Sequence, residues 1–130
     1  MAQQDTRPSV PRGLRVMVLE DEAIIAMLLE DMLAEMGCEV VGPVSDVPAA
    51  LNLLEAETPQ MALLDVNLSH GQSSYKVAEA LAGRGVPFAF VTGHAPGGLQ
   101  APFTDRPTLQ KPFHLAALMD VVRVVSSGGQ

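Results

Sequence analysis

Short apolar runs alternate along this chain with segments whose apolar residues recur at helical spacing, and that alternation limits the folds available to it. Runs at 14–19, 38–41, 61–65, 87–91 and 108–110 read as strands. The first is apolar on both faces, as parallel strands covered by helices tend to be. A helix is expected over 23–36, where Ile24, Ile25, Leu28, Leu29, Met32, Leu33 and Met36 share helical spacing and Gly37 supplies the stop. Asp46 is placed to cap a second helix through Leu51, Leu54 and Glu55, with Val47 and Pro48 in its first turn. A polar loop at 69–74 leads into a third helix through Val77, Ala78, Ala80 and Leu81, ended by Gly83 and Gly85. A last helix runs over 114–125. Segment 93–106 holds two prolines and three glycines where the alternation calls for another helix. It reads as a loop with at most a short helix around 99–103. Five strands with intervening helices imply a doubly wound, flavodoxin-like α/β fold with a parallel sheet in the order 2-1-3-4-5.

Composition narrows the function classes. At 130 residues and 48% hydrophobic content the chain suits one domain, since domains commonly hold about 100–150 residues. The expected organisation is a disordered lead-in at 1–12, a domain at 13–126 and a frayed tail at 127–130. A net charge of −7 argues against unaided nucleic-acid binding, which relies on clustered Lys and Arg to neutralise phosphates. No apolar stretch approaches the ~20 residues of a membrane span, and the N-terminus lacks a signal-peptide core, so a cytoplasmic location is expected. Cys38 is the sole cysteine and reads as a small buried hydrophobe. His70, His94 and His114 share no helical spacing and read as solvated imidazoles.

The strand ends carry the chemistry. Glu20 and Asp21 close the first run, Asp65 the third and Thr92 the fourth, and Lys111 follows the fifth. In an open parallel sheet such ends line one crevice, where ligands bind. Taken singly, each residue has a plainer reading: a turn, a cap, a solvent-facing lysine, or acids at 20–22 complementing a helix dipole. Jointly, they supply what one reaction needs. Three carboxylates in one crevice raise each other's pKa unless a cation offsets them. Mg²⁺, a hard ion taking oxygen ligands, resolves that conflict and draws an anionic phosphoryl donor towards Asp65. Lys111 adds positive charge, Thr92 a neutral hydrogen bond, and Gly93 leaves room beside it.

Four segments, at 16–22, 63–68, 91–93 and 110–113, together resemble the receiver domains of two-component response regulators. They read Val-Met-Val-Leu-Glu-Asp-Glu, Leu-Leu-Asp-Val-Asn-Leu, Val-Thr-Gly and Gln-Lys-Pro-Phe. The resemblance implies that Asp65 accepts a phosphoryl group from a sensor histidine kinase or phosphotransfer protein, and that the signal passes to a downstream protein. It further implies that Asp21 and Asp65 bind Mg²⁺ directly, Glu20 through water, and Asn67 by its backbone carbonyl. Lys111, ahead of a cis Pro112, pairs with the acyl phosphate, and Thr92 moves to bond it. On this reading the chain is a Mg²⁺-dependent, self-phosphorylating phosphoacceptor and not a turnover enzyme. Beginning at Met1, it is expected to be a stand-alone single-domain regulator of a subgroup marked by Pro-Phe-x-Phe-Ala-Thr-Gly, with Val91 in place of the Ala.

One departure concerns switching. Where the family usually carries an aromatic residue, this chain has Thr108. Phosphorylation is therefore expected to order or reposition segment 93–106 directly. Two rivals remain. A phosphatase of the haloacid dehalogenase type needs Asp-x-Asp after the first strand, where this chain has Glu-Asp-Glu. A receiver-like protein-binding module would work without phosphorylation.

Overall fold

The computed structural model describes residues 10–68, 71–93 and 99–127. Along them lie β1 (Arg15–Leu19), α1 (Ala23–Glu35), β2 (Glu39–Val44), α2 (Val47–Ala56) and β3 (Met61–Asp65). There follow α3 (Tyr75–Gly83), β4 (Phe88–Thr92), β5 (Thr108–Gln110) and α4 (Leu115–Ser126). The strands form one sheet in the order β2-β1-β3-β4-β5, with every neighbouring pair parallel. This is the doubly wound arrangement expected from the alternation.

Successive strand residues point to opposite faces, which divides the core into two layers. Met17, Leu19, Ala62, Leu64, Phe88 and Phe90 pack with Leu54 of α2 and Val77 and Leu81 of α3. Val16, Val18, Leu63, Ala89 and Val91 face the other way, against Leu29 and Leu33 of α1 and Leu118, Val122 and Val125 of α4. All of β3 and β4 is buried, so both strands read as apolar runs up to their last residues, Asp65 and Thr92. Cys38 lies in the second layer, and burial pushes its thiol pKa up.

Local chemistry sets the ends of the elements. Asp46 Oδ1 accepts a hydrogen bond from the Ala49 N–H at 2.8 Å, capping α2. Gly37 turns the chain out of α1 at φ 85°, a conformation glycine adopts without a Cβ penalty. His114 is exposed, as the solvated reading expected, and it also caps α4: its Nδ1 accepts from the Ala117 N–H at 3.4 Å.

Two differences from the sequence reading have physical causes. β2 continues past the expected 38–41 to Val44. The register slips between Met17 and Leu19, beside Gly42 at φ 99° and the cis Gly42–Pro43 peptide. An edge strand tolerates such a proline because its outer side needs no ladder partner. On α1, Ile24 and Leu28 share the helical spacing yet are 80% and 38% exposed, because Ala26, Leu29 and Leu33 take the sheet-facing positions. Between β4 and β5 the described residues 99–107 form turns and no helix, as the loop reading expected. There the Phe103 N–H donates to the Gln100 carbonyl and the Arg106 N–H to the Phe103 carbonyl.

Phe103 is buried against Phe88, Phe90 and Tyr75, with centroids 5.7, 6.0 and 6.0 Å away. One ring thus covers β4 where a helix would otherwise pack. Val10, in the expected lead-in, packs on the α1/α4 layer. The rest of that reading at 1–9, and those falling on 69–70, 94–98 and 128–130, including His70 and His94, lie outside the described residues.

Candidate functional site

Parallel register brings the carboxyl ends of β1, β3, β4 and β5 to one rim. Leu19 is level with Leu64, Asp65 with Val91, and Thr92 with Gln110. Glu20 follows Leu19 in step with Asp65, and Lys111 leaves β5 two residues beyond Leu109, which is level with Val91 and so with Asp65. The Lys111 N–H donates to the Thr92 carbonyl at 2.7 Å, and the Lys111–Pro112 peptide is cis. Thr92 is itself buried, and strand alternation puts it on the face of Phe88 and Phe90. A Cβ added at Gly93 would meet nothing within 4 Å, so there is open space beside Thr92.

Glu20 and Asp65 are 2% and 5% exposed, and Asp21 is half-buried. One carboxylate oxygen from each lies within 4.8 Å of the others. The Glu22 N–H donates to Glu20 Oε2 at 3.1 Å. Lys111 Nζ stands 3.1 Å from Glu20 Oε1, 3.3 Å from Glu22 Oε1 and 3.5 Å from Asp65 Oδ2. The approach to Glu20 Oε1 is an ion pair off the hydrogen-bonding direction, which leaves that buried oxygen without a hydrogen bond. Asn67, two residues beyond Asp65, is exposed in a loop pinned by an antiparallel bridge to Ser73. The Ser74 N–H donates to the Val66 carbonyl to close that loop.

Electrostatics follow from this crowding. Burial first, then the adjacent Glu20 carboxylate, pushes Asp65 up to about 7; Asp21 adds to the rise and Lys111 opposes it. Burial pulls the Lys111 ammonium down, but Asp65, Glu20 and Glu22 outweigh it and raise its pKa. Three converging acids, one with an oxygen lacking a hydrogen bond and one pushed up to about 7, fit a hard divalent cation with oxygen ligands. The residues named from sequence as Glu20, Asp21, Asp65, Thr92 and Lys111 thus converge at one rim. The attachment of Glu22 to Lys111 was not anticipated; the adjacent acid was visible, its direction was not.

A five-stranded doubly wound sheet with an acidic cluster and a lysine at one rim defines a receiver. Residues 16–123 match the response regulator receiver domain family, and the chain belongs to it. Such a domain is a phosphoacceptor module of two-component signalling and not a turnover enzyme, and its acidic cluster is typical of a receiver Mg²⁺ site. Among solved structures, SdrG from Sphingomonas melonis Fr1 is 41% identical, with a TM-score of 0.77 over 85% of this chain and 94% of that one. The BeF3-activated conformation of SdrG from Pseudomonas melonis Fr1 matches at 40% identity and a TM-score of 0.77, over 88% of this chain and 98% of that one. The transcriptional regulatory protein PdtaR of Mycobacterium tuberculosis is 31% identical over 126 residues, 95% of this chain. The chain spans 60% of the length of PdtaR. No helix among the described residues is long and apolar enough to cross a membrane.

Proposed function

We propose that Asp65 takes a phosphoryl group from a phosphohistidine of a sensor kinase or phosphotransfer protein, and that the chain then signals to a protein partner. The observation that carries this reading is Asp65 buried between two acids with a lysine 3.5 Å away. An Asp65 carboxylate oxygen forms the new P–O bond as the P–N bond to the imidazole breaks, and the imidazole keeps the electron pair. Asp21, Asp65 and the Asn67 carbonyl would hold Mg²⁺ directly, and Glu20 through water. When bound, Mg²⁺ offsets the charge of the carboxylates and of the phosphoryl oxygens. Lys111 pairs with one phosphoryl oxygen and the Thr92 hydroxyl donates to another, in space that Gly93 leaves open. The BeF3-activated conformation of SdrG supports a phosphorylation-driven change in a close relative. The segment at 87–93 supports membership of the Pro-Phe-x-Phe-Ala-Thr-Gly subgroup.

Switching runs through the segment after Thr92. Thr108 pairs with Phe90 and offers no ring, whereas Phe103 fills the β4 face and the Tyr75 hydroxyl accepts from the Gln100 N–H at 3.0 Å. Amide exchange with and without beryllofluoride is expected to change across 99–106; unchanged protection there with large changes elsewhere would count against this route.

Intact-mass analysis after exposure to a small acyl phosphate with Mg²⁺ tests the function itself. One added phosphoryl group is expected, and none in Asp65→Ala. A wild-type chain that stays unmodified would favour the phosphorylation-independent binding module.

A further inference from the structure

Lys111 has a partner that phosphoryl binding does not require. Besides Glu20 and Asp65, its Nζ reaches Glu22 Oε1 at 3.3 Å. Glu22 stands outside the converging carboxylates. Its side chain is 64% exposed, against 1% for Glu20 and 7% for Asp65. Glu22 also occupies the N-cap position of α1, yet its side chain makes no capping hydrogen bond. Its backbone N–H holds Glu20 Oε2 instead. The main chain of residue 22 therefore orients the acidic cluster, while its carboxylate engages the lysine.

A divalent cation on Glu20, Asp21 and Asp65 brings two positive charges to oxygens that Lys111 already contacts. Like charges a few ångströms apart repel, and most strongly where water is excluded. An ammonium released from Glu20 with no other anion in reach would be left part-buried and unpaired, which is costly. Glu22 Oε1 supplies that anion within contact distance and at the solvent edge.

We propose that Glu22 is a positioning residue that holds Lys111 off Glu20 while the cation is bound, keeping the ammonium near Asp65 for the incoming phosphoryl group. This rests on the Mg²⁺ reading of the site given above.

Titration of the whole chain with Mg²⁺ alone, in wild type, Glu22→Gln, Lys111→Met and the double variant, tests it. Glu22→Gln is expected to weaken Mg²⁺ binding roughly two- to fivefold, the size of an exposed ion pair. Lys111→Met tightens binding, and adding Glu22→Gln to Lys111→Met changes nothing further. Glu22→Asp, which keeps the charge, retains most of the wild-type affinity. An equal loss from Glu22→Gln in both backgrounds would reduce Glu22 to a nearby negative charge and overturn the proposal, as would no loss in either. Failure of the underlying reading looks different: neither wild type nor Lys111→Met would bind Mg²⁺ saturably, and the proposal would fall with it.

Discussion

Asp65 is pushed from 3.8 to about 7 by burial and by Glu20, so the metal-free fold binds a proton there more tightly than the unfolded chain does. A raised folded-state value makes that contribution fully present below the unfolded pKa and lost as pH rises through the folded one. The window therefore runs from about pH 4 to about pH 7. Above it, the charged carboxylate costs up to about 4 kcal/mol in the absence of metal. Asp65→Asn is expected to stabilise the chelated protein by up to that amount at pH 8, and by less than half as much at pH 5. Urea unfolding at the two pH values measures the difference, and an equal gain at both would show that charge is not the cause. The identity of Asp65 as an acid at a strand end was legible in the sequence. A rise among clustered acids was legible too; that burial is its largest cause at Asp65 was not, because burial and the Glu20 contact arise only when two strands lie side by side.

Among the elements, the segment between β4 and β5 departs most from a simple α/β alternation. Phe103 is buried, and the Arg106 guanidinium lies 4.4 Å above the Phe88 ring. Phe103→Ala removes a core aromatic and should cost about 3–5 kcal/mol in equilibrium unfolding. Tyr75→Phe deletes only the hydroxyl that receives the Gln100 N–H, a loss of about 0.5–1.5 kcal/mol with faster exchange of that amide. A Phe103→Ala cost below 1 kcal/mol would mean the ring does not pin the segment. On α2, Asp46→Ala is expected to lose about 1 kcal/mol from the missing cap, readable in the same unfolding assay. That cap was legible, since Asp before Val-Pro is a local signal. The role of Phe103 was not, because its partners Tyr75, Phe88 and Phe90 belong to other elements.

At the scale of the whole molecule, the sheet rim opens beside α1, whose Ile24 and Met27 are 80% and 61% exposed. On the proposed function, a protein phosphodonor has to reach Asp65 across this rim, whereas a small donor needs no docking surface. Ile24→Glu should leave stability within about 0.5 kcal/mol, as surface substitutions do. It should slow transfer from a protein donor while sparing modification by a small acyl phosphate. Equal slowing with both donors would place the effect at Asp65 itself and not at docking. Periodicity alone placed Ile24 in the apolar set of α1; only packing against the sheet showed which residues of that set the core accepts.

Order and type of element were written in the chain itself, because apolar spacing, Asp46 as a cap and Gly37 as a stop act within a few neighbouring residues. So was the set of strand-end side chains at Glu20, Asp21, Asp65, Thr92 and Lys111. The tertiary structure decided the rest: the 3.3 Å contact of Lys111 with Glu22 across 89 residues, the burial that makes Asp65 the raised acid and the seating of Phe103. Each depends on strand register and on the exclusion of water between layers, and neither quantity exists until the sheet is assembled.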